Sequence, residues 1–102
     1  MAITNTLLGT TAANIFASSG NTVVSVAYFC NTDSVARTFN LYAVPSGGLA
    51  SATTQVYRNI QIAAGDTFVV DMEKIVLADG DMLQANCSQA NVVSATISYV
   101  GI

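Results

Sequence analysis

The sequence predicts a single all-β domain, an antiparallel jelly-roll-like β-sandwich of about seven or eight strands. Short runs of β-branched and aromatic residues recur along the chain, turn residues separate them, and no stretch has the period of an amphipathic helix. A chain of 102 residues is expected to form one domain around one core. An immunoglobulin domain is disfavoured, because the chain has no Trp and has Ala85, rather than a Tyr, two residues before Cys87.

The N-terminal segment differs in composition from the rest. Residues 1–20 are rich in Thr, Ser, Ala and Gly, and their apolar pieces, Leu7-Leu8 and Ile15-Phe16-Ala17, are short. We therefore expect a loose N-terminal arm with one edge strand near residues 14–17, followed by the β-sandwich domain of residues 21–102.

Residues 21–31 are predicted to form a central strand, because both of its faces are largely apolar. One face would carry Val24, Val26, Tyr28 and Cys30, and the other Val23, Ser25, Ala27 and Phe29. An outer face covered by a partner is the alternative explanation. The last segment, residues 92–102, is also expected to be central, with its core face formed by Val93, Ala95, Ile97 and Tyr99.

Three further segments alternate as strands, and in one of them, residues 82–87, Leu83, Ala85 and Cys87 face one way. Residues 38–44 place Phe39, Leu41 and Ala43 on one face. In residues 56–62 the alternation puts Arg58 on the apolar side, together with Val56, Ile60 and Ile62.

Two tetrapeptides have sequences that are typical of tight turns, Ala63-Ala64-Gly65-Asp66 and Ala78-Asp79-Gly80-Asp81. Gly adopts positive φ without steric cost, and the Asp carboxylate can accept a hydrogen bond from the backbone nearby. Strand-like runs flank both turns, which predicts two hairpins. Residues 71–74, between the two predicted hairpins, are expected to form a solvated crossing.

The scarcity of charge is the most informative property of the composition. Only 9% of the residues are charged, against about a quarter in an average domain. A small domain has a large surface that charged side chains normally keep soluble. We therefore expect self-association or incorporation into a larger assembly, the alternative being a soluble monomer with a neutral polar coat.

The charge distribution also argues against several classes of partner. The net charge is −3, and the basic residues Arg37, Arg58 and Lys74 are far apart in the sequence. A nucleic-acid or anionic membrane surface requires concentrated positive charge, so neither partner is expected. The N-terminus lacks the pattern of a signal peptide and no apolar run approaches the length of a membrane helix, so synthesis in the cytosol is expected.

The sequence offers no catalytic constellation, and we expect no enzyme, cofactor or metal site. Calcium binding by Asp66, Asp79 and Asp81 is disfavoured, because their spacing fits simple turns and no EF-hand loop. Asp71 and Glu73 could act as paired carboxylates on a glycoside, but no further catalytic residue accompanies them.

The two cysteines, Cys30 and Cys87, are expected to be buried free thiols, and zinc is disfavoured because the chain has no His. A disulfide would require their strands to be neighbours that face each other, and this alternative stays open.

Three tyrosines and one arginine form the candidate interface. Tyr28, Tyr42, Tyr57 and Arg58 are the residues that we expect to contact another subunit or a sugar. Ordinary amphipathic packing, with each ring inside and each hydroxyl at the boundary, is the alternative.

Several segments together resemble a group of small virion structural proteins of tailed bacteriophages, including marine and cyanobacterial phages. The resemblance covers most of the chain from about residue 21 and lies in strands and turns, with no active site to carry over. The segments are Tyr28-Phe29-Cys30-Asn31-Thr32-Asp33-Ser34, then Arg37-Thr38-Phe39-Asn40-Leu41-Tyr42-Ala43-Val44-Pro45-Ser46-Gly47-Gly48, then Ile62-Ala63-Ala64-Gly65-Asp66-Thr67, and Ser98-Tyr99-Val100-Gly101-Ile102.

The resemblance implies a compact β-domain that is incorporated into a virion in many copies after synthesis in the host cytoplasm. The leading expectation is a capsid decoration or cement protein that forms symmetric homo-oligomers, such as trimers, and binds other virion proteins such as the major capsid protein. One alternative is an adaptor in the tail, collar or baseplate. Another is a carbohydrate- or receptor-binding module of the virion.

Overall fold

A computed structural model describes residues 2–70 and 75–102, and these residues form an all-β, antiparallel domain without helices. The four residues expected to form a solvated crossing, among them the carboxylate pair Asp71 and Glu73, lie outside the described residues. The strands are β1 (Ala2–Leu7), β2 (Ala13–Ala17), β3 (Thr22–Asn31), β4 (Arg37–Val44), β5 (Gln55–Ile62), β6 (Thr67–Val70), β7 (Ile75–Leu77), β8 (Met82–Cys87) and β9 (Val93–Gly101).

The strands are divided between two sheets. Sheet A has the order β1-β9-β3-β6, and β7 also pairs with β3, beyond the end of β6. Sheet B has the order β2-β8-β4-β5. The expected central positions of the strands at residues 21–31 and 92–102 are confirmed, since β3 and β9 each have neighbours on both sides.

One hydrophobic core joins the two sheets. The rings of Phe29 in sheet A and Phe39 in sheet B stack with their centroids 4.3 Å apart. A second contact between the sheets joins Phe16 and Tyr99, whose centroids are 4.5 Å apart. The inward positions expected on three strands are confirmed as core residues, with Phe39 and Leu41 on β4, Leu83, Ala85 and Cys87 on β8, and Val93, Ala95 and Ile97 on β9.

The N-terminal segment differs from the expected loose arm. Residues 2–7 form β1, which pairs with β9 in unbroken register from Ala2↔Tyr99 to Leu7↔Ser94. Leu8 is fully buried in the core and anchors the end of this strand. The predicted edge strand near residues 14–17 corresponds to β2, and β1 makes the count of described strands nine. The composition of this segment did not indicate a strand, because its Thr and Asn residues suggest a loop, although Thr is favourable in strands.

The two faces expected for residues 21–31 are exchanged within the strand. Between Val24 and Val26 the pairing with β9 shifts, so that Ser25 is an extra residue in β3. A bulge of this kind moves all following side chains to the other face. Val24 therefore shares the core with Ala27 and Phe29, while Tyr28 faces outward.

A second register shift corrects the placement of Arg58. Tyr57 pairs with Leu41 and Ile60 pairs with Phe39, so the two residues between them form a bulge in β5. Asn59 within the bulge has a positive φ of 51°. Arg58 is consequently exposed rather than on the apolar side of its strand.

Both Gly-Asp turns are present, but they do not form hairpins. Gly65 and Gly80 have φ values of 72° and 86°. The first turn connects β5 of sheet B to β6 of sheet A, and the second connects β7 of sheet A to β8 of sheet B. Asn31 holds the first turn, since its backbone oxygen accepts from the Gly65 N–H at 3.0 Å. Each turn therefore carries the chain across the core to the opposite sheet.

Candidate subunit-contact surface

The outer face of sheet A is the candidate functional surface, and we call it the uncharged face. Residues directly opposite each other on antiparallel strands point to the same side of a sheet, so the register defines the members of this face. They are Ile3, Asn5 and Leu7 on β1, Ser94, Thr96, Ser98 and Val100 on β9, Val23, Val26, Tyr28 and Cys30 on β3, Thr67 and Val69 on β6, and Val76 on β7.

Large apolar side chains are exposed across the whole uncharged face. Ile3 and Leu7 at one edge are 67% and 53% exposed, and Val76 at the other edge is 66% exposed. Tyr28 on β3 and Val69 on the edge strand β6 form a further exposed pair. So many exposed apolar side chains on one sheet face are unusual for a monomer, which makes this face the candidate contact surface.

No Lys, Arg, Asp or Glu belongs to this face among the described residues. Its polar members carry hydroxyl or amide groups, and one pair of them bonds across strands, from Asn5 Nδ2 to Thr96 Oγ1 at 2.9 Å. A surface without ionised groups loses little solvation free energy when it is covered. It also brings no like charges together when it meets a copy of itself.

The described charged residues lie in loops, in turns or on β4 and β5 of sheet B. Asp33 and Arg37 pair locally, with Arg37 Nε donating to Asp33 Oδ2 at 2.8 Å. The hydrogen bond from Arg37, together with one from the Ser34 backbone, lowers the pKa of Asp33 below its ordinary value. The charge of Arg37 is therefore compensated by the loop that precedes its strand.

Sheet B presents a chemically different outer face, which we call the amide face. It carries a row of hydrogen-bonded amide side chains around Tyr42. Gln84 donates to Asn14 at 2.8 Å, Asn40 donates to Asn86 at 2.8 Å, and Gln55 donates to Asn40 at 3.1 Å. These amides are already paired with one another, whereas the side chains at the rim of the uncharged face stand in solvent.

The structure does not bring the four candidate interface residues together. Tyr28 lies on the uncharged face, and Tyr42 lies on the amide face at the opposite side of the domain. Tyr57 packs against the core, with its ring edge-on to Phe68 at 5.7 Å between centroids. Arg58 is exposed on β5.

Sequence reasoning missed most of the uncharged face. Ile3 and Leu7 could have been found from the period-two alternation of residues 3–7, which places them on one side with Asn5. Val69, Val76 and Val100 sit in short or terminal segments, and only the strand pairing shows that they share a surface.

The positions of the two cysteines and of the aspartates in the Gly-Asp turns are explained by the fold. Cys30 and Cys87 are free thiols, as expected, and they lie in different sheets. Cys87 is buried, whereas Cys30 is only partly buried, contrary to the expectation that both thiols are buried. Asp79 accepts from the Gly20 N–H at 2.7 Å, and Asp81 accepts from the Ser46 and Ala78 N–H groups at 3.0 Å. Among the described residues no group of three or more His, Cys, Asp or Glu is placed to hold a metal ion.

Within residues 2–70 and 75–102, no helix has the length and apolar character needed to cross a membrane. No protein-family model, curated protein or solved structure matches this chain.

Proposed function

We propose that this chain is a structural subunit of a tailed-bacteriophage virion, which decorates and cements the capsid as a symmetric homo-oligomer. The uncharged face is the observation that carries the proposal, because it is a broad sheet surface suited to permanent contact between subunits. The resemblance of the strand and turn segments to small virion proteins gives the biological setting.

The size of the uncharged face supports this role. Sheet A is four strand positions wide, about 19 Å, and β9 is nine residues long, about 30 Å. The resulting flat area of about 570 Å² is most of the ~800 Å² that each partner contributes to a standard interface.

Stable association through the uncharged face requires contacts across the whole of it. Ile3, Leu7, Tyr28, Val69, Val76 and Val100 are all partly exposed, and covering them would contribute on the order of 5–10 kcal/mol. Association costs about 4–15 kcal/mol in lost rigid-body freedom. The apolar side chains alone roughly balance this cost, so the hydroxyl-bearing residues of β9 must also make good contacts.

The strand order supports a jelly roll as the finer description of the fold. In a jelly roll the chain passes repeatedly between two sheets, and each sheet combines strands from both halves of the chain. Here β1 lies beside β9 and β2 lies beside β8, and β6 and β7 would share one strand position next to β3. Jelly rolls serve in viral capsids and in lectins, so the fold is compatible with the proposal without selecting it.

Co-sedimentation with emptied phage capsids tests the proposal. We expect the purified chain to pellet with capsids, and the number of bound chains per capsid to saturate at a value fixed by the capsid symmetry. In images of the intact particle, the chain should appear as repeated density on the head. Density confined to the tail, collar or baseplate would favour an adaptor instead. Absence from the particle would contradict the proposal.

Glycan binding is a second candidate function, favoured by the amide face. Tyr42 stands there beside Gln84 and Asn40, and an aromatic ring among amides suits a neutral sugar. A glycan array distinguishes the two: binding that is lost in Tyr42→Ala but kept in Tyr57→Ala would support a sugar site, because Tyr57 packs inward. No binding across the array would remove this candidate.

A further inference from the structure

The edges of the two sheets differ in how they are protected from pairing with another chain. An exposed edge strand offers unpaired backbone groups, and proteins protect such edges with bulges, charges or very short strands. On sheet B, β2 contains an extra residue at its register shift, and β5 contains the Asn59 bulge beside the charge of Arg58. On sheet A, the edge opposite β1 is divided between β6 and β7, of four and three residues.

β1 is the exception among these described strands. Its six residues, Ala-Ile-Thr-Asn-Thr-Leu, contain no charge, Pro or Gly, and its register with β9 is unbroken. Within the part of the chain that the structure describes, β9 is its sole sheet neighbour. The other edge of β1 is therefore straight and open to strand addition.

We propose that β1 pairs antiparallel with β1 of a second copy of this chain, about a two-fold axis through Asn5. The inference rests on the proposed function, in that it specifies one contact within the homo-oligomer. Sheet A would then continue through both copies. A two-fold axis perpendicular to the sheet keeps both uncharged faces on the same side, so the pair presents a surface of doubled width.

The sequence of β1 selects this register. Pairing across the axis must match outward residues with outward residues, and centring on Asn5 does so for each position from 3 to 7. Ile3 then lies opposite Leu7 of the second copy, so the two exposed apolar side chains of the strand cover each other. Thr4 lies opposite Thr6 on the inner face, a favourable cross-strand pair.

The neighbouring register, centred on Thr4, is poorer. It sets Ile3 against Asn5 and leaves Leu7 without a partner inside the strand.

The area of this contact indicates a weak pair. β1 is about 20 Å long and one sheet layer is about 10 Å thick, so the edge contact would cover about 200 Å² on each copy. This is about a quarter of a standard contribution, and backbone hydrogen bonds would supply much of the affinity, as in other strand additions. We expect pairing that strengthens when the copies are concentrated on a particle.

Disulfide trapping tests both the pairing and the register. Directly opposite residues on antiparallel strands have Cβ atoms about 4.5–5.5 Å apart, close enough for a disulfide to form after small adjustments. In a Cys30→Ser background, Asn5→Cys should form a covalent dimer under mild oxidation. Ile3→Cys should not, because its own copy lies four residues away along the partner strand. Gln61→Cys, exposed on the bulged edge of β5, is the matched control for random collision.

An Asn5→Cys dimer yield no greater than that of Gln61→Cys would overturn the proposal, as would a higher yield for Ile3→Cys than for Asn5→Cys. Far-UV circular dichroism of each variant shows that the sheet is intact. If trapping fails while the wild-type chain still sediments as an oligomer, the edge pairing is wrong and the proposed function stands. Trapping in solution by a chain that is absent from virions would retain the pairing and remove the function.

Discussion

Tyr28 and Val69 lie directly opposite each other across β3 and β6, and both side chains are exposed, by 41% and 42%. An aromatic and a β-branched residue in this position form a favourable cross-strand pair, yet nothing else in the described chain covers their outer surface. Tyr28 is on the inner strand β3 and Val69 is on the edge strand β6, so the pair lies on the side of the uncharged face away from Ile3 and Leu7. Tyr is enriched among the residues that carry most of the energy of protein interfaces.

Tyr28→Lys and Val69→Lys should each weaken self-association by at least tenfold, because an ammonium group would be buried without a partner. Unfolding free energy should change by less than about 1 kcal/mol, since both positions face outward. Sedimentation velocity at several concentrations measures the association. Tyr42→Lys, which adds the same charge on the amide face, is the matched control, and equal weakening by this variant would contradict the assignment of the interface.

Phe39→Ala should lower the unfolding free energy by about 3–5 kcal/mol, because it removes the ring that stacks on Phe29 and leaves a cavity between the sheets. Urea unfolding in a Tyr28→Lys background measures this without the concentration dependence of an oligomer. Phe68→Ala, at a partly exposed ring, should cost clearly less. Similar losses for the two variants would mean that the core is not centred on the Phe29–Phe39 contact.

Asn31→Ala should cost about 2–3 kcal/mol, because the fully buried side chain of Asn31 joins the end of β3 to two loops. Its amide donates to the Val35 and Ile62 carbonyl oxygens at 2.9 and 3.0 Å, and its oxygen accepts from the Asp33 N–H at 3.0 Å. Urea unfolding tests this, with Asn14→Ala as the exposed control. A loss no larger than that of the control would show that water replaces these bonds.

The Asp33–Arg37 pair predicts a specific response to acid. Because hydrogen bonding to Arg37 lowers the pKa of Asp33 in the folded chain, its contribution to stability is present above the unfolded pKa and is lost as the pH falls through the folded pKa. Arg37→Gln should therefore reduce stability at neutral pH and approach the wild type in strong acid. Unfolding free energies measured from neutral to acidic pH test this, and a difference that grows as the pH falls would contradict it.

Alternation and turn chemistry predicted much of the fold. The core faces of β4, β8 and β9 follow from period-two patterns, since the inward residues of these strands are regularly spaced. The turns at Gly65 and Gly80 follow from the need for positive φ. Turn chemistry does not say which sheet the next strand joins, and both expected hairpins were wrong for this reason.

The bulges could not be predicted from the sequence. Ser25 and Asn59 interrupt the alternation of β3 and β5, and each interruption exchanges the faces of the residues beyond it. Such insertions are determined by the fit of a strand to its neighbours. Tyr28 and Arg58 were both assigned to faces by an alternation that these bulges break, so only the pairing of the strands shows their outward positions.

Sedimentation velocity of the wild-type chain across micromolar concentrations tests the central claim most directly. The account predicts a species several times the 10.5 kDa mass of the chain, converted to the monomer by Tyr28→Lys. A wild-type chain that sediments as a stable 10.5 kDa monomer throughout this range would contradict it.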